Sequence, residues 1–224
     1  MQVYIAGTGK LATELVDELE PEDGLTISRW PPETDLVAQS VVVHAGSGRE
    51  LGTITAFCAR TSSVLVELST GSVLEGAQPH FPVVLCPNTN ILMLKFMCML
   101  ARSGDMFKGC DIQITESHQA SKASVPGTAV QIAHLLGVSE SAIVSVRDTA
   151  QQTSRLNIPH EHLARHAFHR IAIQEGPCAI SLETWVYGDS PYASGVQQII
   201  AAIRRRTLQS RTYSITEFIE SGWV

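Results

Sequence analysis

Near the middle of the chain, fourteen residues read Glu116-Ser117-His118-Gln119-Ala120-Ser121-Lys122-Ala123-Ser124-Val125-Pro126-Gly127-Thr128-Ala129. A short apolar strand, Ile112–Thr115, is predicted just before them, and an apolar helix from Ala129 to Leu136 just after them. The polar residues of the stretch are therefore expected in a loop that joins a strand to a helix.

This loop combines three kinds of group that can act together on a carboxylated ligand. The backbone N–H groups of Gly127 and Thr128 are free at a helix start, where they and the helix dipole can hold an anion. Lys122 adds a full positive charge, and His118 can transfer a proton near neutral pH. The alternative is that Pro-Gly-Thr is ordinary turn and cap chemistry and that both side chains are merely solvated.

The stretch resembles the signature of the dihydrodipicolinate reductase family, Glu-x-His-His-x-x-Lys-x-Asp-x-Pro-Ser-Gly-Thr-Ala. The residues that stand in place are Glu116, His118, Lys122, Pro126, Gly127, Thr128 and Ala129. Three positions depart from it: Gln119 replaces the second histidine, Ser124 replaces the aspartate, and the serine between proline and glycine is missing. Gln119 can still hydrogen-bond a carboxylate but carries no charge, so the substrate can differ from dihydrodipicolinate.

The resemblance implies an NAD(P)H-dependent oxidoreductase that reduces a C=N or conjugated C=C bond in a cyclic carboxylated imine, as in lysine and diaminopimelate biosynthesis. His118 or Lys122 would supply the proton that balances the hydride. The substrate carboxylate would be bound by Gln119, Lys122, Gly127 and Thr128. In such an enzyme the cofactor carries the hydride chemistry, and the protein provides orientation and charge.

At the N-terminus a short apolar strand, Val3–Ala6, leads into a glycine turn and an amphipathic helix. The turn has the form Gly-x-Gly-x-x-Ala, which is typical of dinucleotide-binding folds when it follows a first strand. The glycines allow a tight turn and a close approach of the backbone to a pyrophosphate. We therefore expect the cofactor to be bound by Gly7, Thr8, Gly9, Lys10 and Leu11.

The second predicted strand, Leu25–Ser28, ends at Arg29. Dinucleotide-binding folds place here an acidic residue for a ribose hydroxyl or a basic one for a 2′-phosphate. Since no carboxylate adjoins Arg29, the sequence favours NADPH, with NADH possible; the alternative is a plain surface arginine. Only residues 30–40 connect this strand to the next, Val41–Ala45, so the usual crossover helix is expected to be stunted or replaced by a loop.

Strands and helices continue to alternate up to residue 102, which predicts a parallel sheet with helices on its faces. By the resemblance, the turn Ser69-Thr70-Gly71 lies near the nicotinamide, although Leu68 stands where the family has a first glycine. Asn88 would border the nicotinamide too, within a shortened form of another family segment.

The second half of the chain departs from this alternation. Residues 139–157 are polar and not assigned, and two strands, Arg170–Gln174 and Ala179–Tyr187, are expected to form a mixed sheet together with the last residues, Tyr213–Val224. His162 and His166 stand one helical turn apart. Because no third ligand is evident, a solvated helix face is favoured over a metal site, and no metal is expected.

The composition indicates a globular protein, since 44% of residues are apolar and 17% are charged. The net charge is −6, and the basic triplet Arg204-Arg205-Arg206 suits the end of an apolar helix, so no nucleic-acid partner is expected. The five cysteines lack paired spacing and are interpreted as reduced core residues. Neither a signal peptide nor a membrane span is predicted, which favours a cytoplasmic location.

Together these patterns predict an α/β protein with two domains. A Rossmann-like dinucleotide-binding domain with a parallel sheet takes residues 1–90 plus about 196–224, and an α+β domain with a mixed sheet, for substrate binding and oligomerisation, takes residues 91–195. The resemblance places the site in the cleft between them and implies a shortened, divergent member that forms a homo-oligomer. Two alternatives stay open: a related imine or amino-acid reductase of secondary metabolism, and a non-catalytic nucleotide-binding descendant.

Overall fold

A computed structural model describes residues 1–21, 24–33, 39–123, 126–188 and 191–224. The chain divides into two compact units, which we call the first unit (Met1–Leu94 with Ser190–Val224) and the second unit (Lys95–Asp189). The centre of the predicted loop between the second and third strands, and Ser124 in the motif, lie outside the described residues. The division into a nucleotide domain and a substrate domain stays a prediction.

Ten strands and seven α-helices are described. The strands are β1 (Gln2–Ala6), β2 (Thr26–Arg29), β3 (Val41–His44), β4 (Val64–Glu67), β5 (Val83–Leu85), β6 (Asp111–His118), β7 (Val144–Val146), β8 (His166–Glu175), β9 (Cys178–Tyr187) and β10 (Thr212–Ser214). The helices are α1 (Lys10–Glu18), α2 (Leu51–Thr61), α3 (Ile91–Ser103), α4 (Gly127–Leu135), α5 (Thr149–Leu156), α6 (Pro191–Arg204) and α7 (Ile215–Glu220).

The first unit contains a six-stranded sheet in the order β10-β5-β4-β3-β1-β2, and all of its strand pairs are parallel. Its central strands β3 and β4 are buried along their whole length, as expected for a parallel sheet with helices on both faces. Val3 and Ile5 pack in the cluster that includes residues of α1, α6 and α7, whereas Tyr4 and Ala6 pack with residues of α2 on the other face. The predicted Rossmann-like parallel sheet is confirmed.

The C-terminal residues do not join a mixed sheet, so that part of the prediction is wrong. β10 pairs in parallel with β5 at the edge of the first sheet, where Thr212 is the partner of Val83. The reason is the apolar content of this segment: Tyr213 and Phe218 are buried in the core of the first unit, with their ring centroids 6.0 Å apart.

The second unit contains a four-stranded mixed sheet in the order β7-β6-β8-β9. β6 pairs in parallel with β7 and antiparallel with β8, and β8 and β9 form a long antiparallel hairpin. The hairpin turns at Gly176, whose positive φ of 55° suits a glycine in a tight turn. This mixed sheet confirms the predicted α+β character of the region.

None of the five cysteines, all of which the structure describes, forms a disulfide. Cys58 and Cys86 are buried, and burial raises the pKa of each thiol to about 12. Cys178 is exposed at the start of β9, so its interpretation as a core residue is wrong, because β9 is the edge strand of its sheet. No helix in the described ranges has both the length and the apolar character needed to cross a membrane.

Candidate functional site

The glycine turn after β1 has the geometry that the sequence predicted. Gly7 has a φ of +123°, and a Cβ added there would lie 2.5 Å from the carbonyl oxygen of Ala45, so only glycine fits. Gly9 is the N-cap residue of α1, and a Cβ added there would have no atom within 4 Å. Thr8 and Lys10 are exposed and Leu11 is half-buried. The turn therefore presents a helix N-terminus with open space beside it.

Arg29 is exposed at the carboxyl end of β2 and pairs with Ile5 of β1, the strand that carries the glycine turn. The next residue, Trp30, packs edge-on against Tyr4 and Phe57, with ring centroids 6.2 and 5.2 Å away. The chain is thus anchored directly after Arg29, while the guanidinium side chain stays accessible at the edge of the sheet where ligands bind in such folds.

A pocket of about 540 Å³ lies between the turns that follow β3 and β4, and we call it the serine pocket. It is lined by Gly46, Ser47, Gly48, Arg49, Leu51, Ser69, Thr70, Gly71, Ser72 and Val73. Ser69 Oγ donates to the carbonyl oxygen of Gly46 (3.0 Å), which ties the two turns together. The predicted residues Ser69, Thr70 and Gly71 therefore meet in one pocket.

The turn Gly46–Arg49 was not predicted as part of a site. A signal was present, because a glycine-rich turn after a buried strand repeats the pattern of the first strand. Asn88 does not line the serine pocket. Its Oδ1 accepts from the backbone N–H of Asn90 (2.9 Å), and Asn90 in turn caps α3 by accepting from Met93 N–H (3.1 Å).

In the second unit, Glu116 and His118 lie on β6, so their predicted loop position is wrong. The strand continues beyond Thr115 because it pairs with β8 as far as His118. Since the two residues are two apart on a strand, their side chains share one face of the sheet. His118 Nδ1 lies 2.9 Å from Glu116 Oε2, and the Glu116 side chain is completely buried.

Arg147 binds the same carboxylate from the end of β7. Its Nη2 donates to Glu116 Oε1 (2.6 Å), and its Nη1 donates to Oε2 (3.2 Å). Burial alone raises the pKa of Glu116, but hydrogen bonds from His118, Arg147 and Ser145 and the charge of Arg147 lower it to about 2. Glu116 is therefore an ionised acceptor for the Nδ1–H of His118, which leaves Nε2 as the ring nitrogen that can exchange a proton.

The backbone around the two candidate catalytic residues is held by neighbouring side chains. Arg147 Nε donates to the carbonyl oxygen of Lys122 (2.8 Å), and the N–H of Lys122 donates to the carbonyl oxygen of Gln119 (2.9 Å). Gln152, in α5, donates its amide to the carbonyl oxygen of His118 (2.8 Å). Gln119 and Lys122 are half-buried. Arg147 thus connects the buried carboxylate directly to the loop that carries Lys122.

Gly127 and Thr128 begin α4, two residues earlier than predicted. The N-cap residue is Pro126, and it provides no side-chain hydrogen bond to the first amides of the helix. Gly127 is exposed and Thr128 is half-buried. The predicted anion-binding amides are therefore placed at a helix N-terminus whose N-cap residue, Pro126, does not cap them with its side chain.

The prediction of a solvated helix face at His162 and His166 is wrong. His162 ends a short 3-10 turn, and His166 is a buried residue that begins β8. His166 Nε2 lies 3.0 Å from Ser117 Oγ, and burial is the main cause that lowers its pKa. Within the part of the chain that the structure describes, no group of three or more histidine, cysteine, aspartate or glutamate side chains could hold a metal ion.

A further residue beside His118, not predicted as functional, is His169 on β8. The two rings are in edge contact, with centroids 5.9 Å apart, and His169 Nδ1 lies 3.1 Å from Thr184 Oγ1. Burial, together with the charge of His118, lowers the pKa of His169 to about 4 against the opposing effect of Glu116, so this ring is neutral near pH 7. His169 on β8 pairs with Glu116 on β6, and this pairing could not be predicted from the sequence alone.

No protein-family model matches the chain. It is 31% identical over 126 residues to a probable 4-hydroxy-tetrahydrodipicolinate reductase 2, chloroplastic, of Oryza sativa subsp. japonica, covering 52% of this chain and 39% of that protein. It is 28% identical over 153 residues to the 4-hydroxy-tetrahydrodipicolinate reductase 2, chloroplastic, of Arabidopsis thaliana, covering 62% of this chain and 44% of that protein. The chain thus spans less than half the length of these curated relatives.

Among solved structures, the chain resembles a dipicolinate-bound dihydrodipicolinate reductase from Paenisporosarcina sp. TG-14. The TM-score is 0.64 over 96% of this chain and 97% of that chain, at 18% sequence identity. At this identity the match establishes the fold. The curated relatives confirm the resemblance to the reductase family that the motif predicted.

Proposed function

We propose that this protein is an NAD(P)H-dependent reductase of a cyclic carboxylated imine, as its relatives' names indicate for 4-hydroxy-tetrahydrodipicolinate. The observation that carries this proposal is the Arg147–Glu116–His118 array, in which a buried ionised carboxylate fixes one nitrogen of a partly exposed imidazole. This arrangement orients His118 for proton transfer.

The first unit fits a dinucleotide cofactor. The open space beside Gly9 at the start of α1 suits a pyrophosphate, and the conformation of Gly7 keeps the turn tight. The residues that would hold the cofactor are Gly7, Thr8, Gly9, Lys10, Leu11, Arg29, Ser69, Thr70, Gly71 and Asn88. When bound, the cofactor supplies the hydride.

The second unit provides the groups for the substrate. The amides of Gly127 and Thr128 and the side chains of Lys122 and Gln119 would bind a carboxylate, because they offer backbone donors, one charge and one neutral amide. Reduction of the imine carbon requires one proton at the nitrogen, and His118 Nε2 or Lys122 Nζ would deliver it. Glu116 would stabilise the protonated His118 before this transfer, since it is ionised.

For the cofactor, we infer a preference for NADPH because Arg29 stands exposed at the carboxyl end of β2. Arg29→Ala should weaken NADPH binding by about 1–3 kcal/mol, the scale of a lost charged hydrogen bond, and leave NADH nearly unchanged. Calorimetric titration with both cofactors measures the difference. Arg60→Ala, a change at the end of α2, serves as the control. Equal losses for both cofactors would show that Arg29 does not bind the 2′-phosphate.

The proposal is tested with the purified protein, NADPH, NADH and pyridine-2,6-dicarboxylate, a stable planar mimic of the proposed cyclic imine substrate. We expect saturable binding of a reduced nicotinamide cofactor, tighter binding of the dicarboxylate in its presence, and consumption of NADPH with 4-hydroxy-tetrahydrodipicolinate. Cofactor binding without turnover of any cyclic imine would favour a non-catalytic descendant. Turnover of a different imine would favour a reductase of secondary metabolism. We further propose that the protein is cytoplasmic and forms a homo-oligomer.

A further inference from the structure

The proposed function leaves two buried ionisable residues of the first unit without a role. His44 ends β3 and Glu67 ends β4, and their Cα atoms are partners in the parallel sheet. Both side chains are 0% exposed, and His44 Nδ1 lies 2.9 Å from each carboxylate oxygen of Glu67. The rest of these two strands consists of buried apolar residues.

Such a pair is not needed to hold the sheet together. Removing a carboxylate from water is unfavourable unless it is well paired, and apolar side chains of similar volume often stabilise a core equally well. The neighbouring positions of both strands are filled by valine and leucine. The contacts that His44 and Glu67 make with the neighbouring turns therefore indicate a role other than stabilising the sheet.

Each residue of the pair lies against one of the two turns that border the serine pocket. Glu67 Oε1 accepts a hydrogen bond from the backbone N–H of Ser69 (2.8 Å), which begins one wall. His44 Nε2 lies close to Gly46 in the other wall, as shown by the distance of only 2.8 Å between this nitrogen and a Cβ atom added to Gly46. The Ser69 hydroxyl then joins the walls by donating to Gly46 O. The pair and Ser69 thus determine how far apart the two turns stand.

A second carboxylate, that of Glu50, faces the free side of the imidazole. Among the residues that the structure describes, the buried atoms His44 Nε2 and Glu50 Oε2 have no hydrogen-bond partner, and they lie 4.0 Å apart. This separation is too long for a hydrogen bond. The imidazole therefore lies close beneath Gly46 in one wall of the serine pocket and is joined to the other wall through Glu67 and the Ser69 amide.

We propose that His44 and Glu67 are positioning residues for cofactor binding, acting through the Ser69 amide and the Gly46 turn. This inference rests on the proposed function, which gives Ser69, Thr70 and Gly71 to the cofactor site. In this role neither His44 nor Glu67 contacts the cofactor itself. It holds the turns of the serine pocket in the arrangement that accepts part of the nucleotide, so that this arrangement does not have to be formed on binding.

The test compares the wild type with the double variant His44→Leu/Glu67→Leu, the conservative variant Glu67→Gln, and Val66→Ala. Val66 is a buried neighbour on β4, so Val66→Ala controls for a loss of stability alone. Dissociation constants for NADPH are measured by fluorescence titration alongside thermal unfolding. We expect the double variant to fold and to bind NADPH roughly tenfold more weakly, as for one lost oriented hydrogen bond. Glu67→Gln should keep most of the wild-type affinity for NADPH. Val66→Ala should keep the wild-type affinity while unfolding at a lower temperature.

Hydrogen exchange at the Ser69 amide provides a second measurement that does not need the cofactor. Exchange should be slow in the wild type and in Glu67→Gln, and fast in the double variant. Equal exchange, or equal NADPH affinity in all four proteins, would overturn the positioning role. Absence of NADPH and NADH binding in the wild type would instead overturn the proposed function and the role in cofactor binding with it.

Discussion

Arg147 performs two tasks at once, because its guanidinium binds both oxygens of Glu116 while its Nε–H binds the backbone of Lys122. The charge of Glu116 depends on these contacts, since a fully buried carboxylate without a cation would take up a proton. The catalytic orientation of His118 and the position of the Lys122 loop therefore depend on one side chain.

Replacing Arg147 by leucine should lower the free energy of unfolding by about 3–5 kcal/mol at pH 7, since it leaves Glu116 buried without its cation. In the wild type, the lowered pKa of Glu116 gives stability that is present above about pH 4.5 and is lost as the pH falls toward about 2. The difference between wild type and variant should therefore shrink over the same window. Urea unfolding at several pH values measures it.

Arg170→Leu is the matched control for this experiment, because Arg170 pairs with Glu183 where both side chains are partly exposed. Its loss should stay below about 1 kcal/mol. An Arg147 variant as stable as the control, or a difference that does not change between pH 5 and pH 2, would contradict the buried-pair explanation.

His118 and Lys122 should act as one unit in turnover. His118→Ala should lower kcat by roughly 10²–10⁴-fold, the usual contribution of a general acid. Lys122→Ala should lower both substrate affinity and kcat, because it removes the charge near the carboxylate. The double variant should be little worse than the poorer single variant, as for residues that serve one step.

Steady-state kinetics on the imine substrate measure these effects, and NADPH affinity should be unchanged in all three variants. His134→Ala and Lys108→Ala, at exposed positions of the same unit, are the controls. Normal turnover by both single variants would place the proton donor elsewhere.

At the scale of the elements, α6 depends on one glycine for its packing. A Cβ added at Gly195 would lie 1.7 Å from the carbonyl oxygen of Thr89, a backbone atom that cannot give way without moving the segment that carries Asn88. Gly195 is thus required for the close contact between α6 and the chain after β5.

Gly195→Ala should therefore destabilise the protein by about 1–3 kcal/mol, the usual range for overpacking. Gly52→Ala is the matched control in helix α2, where a Cβ would meet nothing within 4 Å, and it should stabilise by about 0.5–1 kcal/mol. Thermal unfolding of both variants compares them. A neutral or stabilising effect at Gly195 would show that α6 is free to shift.

The elements of the first unit could be predicted because local signals agree with the tertiary structure. The glycines at positions 7 and 9 follow an apolar strand and precede an amphipathic helix, so turn chemistry and apolar periodicity point to the same structure. The run Val41–Val43 is apolar at every position, as a strand buried on both faces requires.

The candidate site in the second unit could be predicted only in part. Polarity ended the predicted strand at Thr115, whereas pairing with β8 extends it and buries Glu116. The residues that hold this site, Arg147 and Gln152, come from a polar segment whose strand has only three residues. Their roles depend on contacts between distant parts of the chain, which no local pattern contains.

At the scale of the whole molecule, both edge strands of the second sheet, β9 and β7, carry exposed apolar residues. On β9, Ile180 and Trp185 are each 48% exposed, and on β7, Val144 is 44% exposed. A long edge strand with exposed apolar side chains is prone to associate with another chain. We expect this sheet to form the contact of the proposed homo-oligomer.

Trp185→Glu and Ile180→Glu should each shift the protein toward the 24.3 kDa monomer, which light scattering after gel filtration measures. Met106→Glu, at an 81% exposed residue outside this sheet, should leave the assembly unchanged. Circular dichroism checks that the variants fold. A wild type that already elutes as a monomer, or variants that assemble normally, would exclude this surface as the contact.

The position of β10 has a consequence for co-translational folding of the protein. The second unit is one uninterrupted segment, and all of its residues have been synthesised once residue 189 has been added. The first sheet, in contrast, receives its edge strand from residues 212–214 and a large part of its core from α6. Because synthesis proceeds from the N-terminus, the second unit is complete before the first unit. Until β10 has been synthesised, the edge of β5 stays unpaired in the sheet formed by β1 to β5.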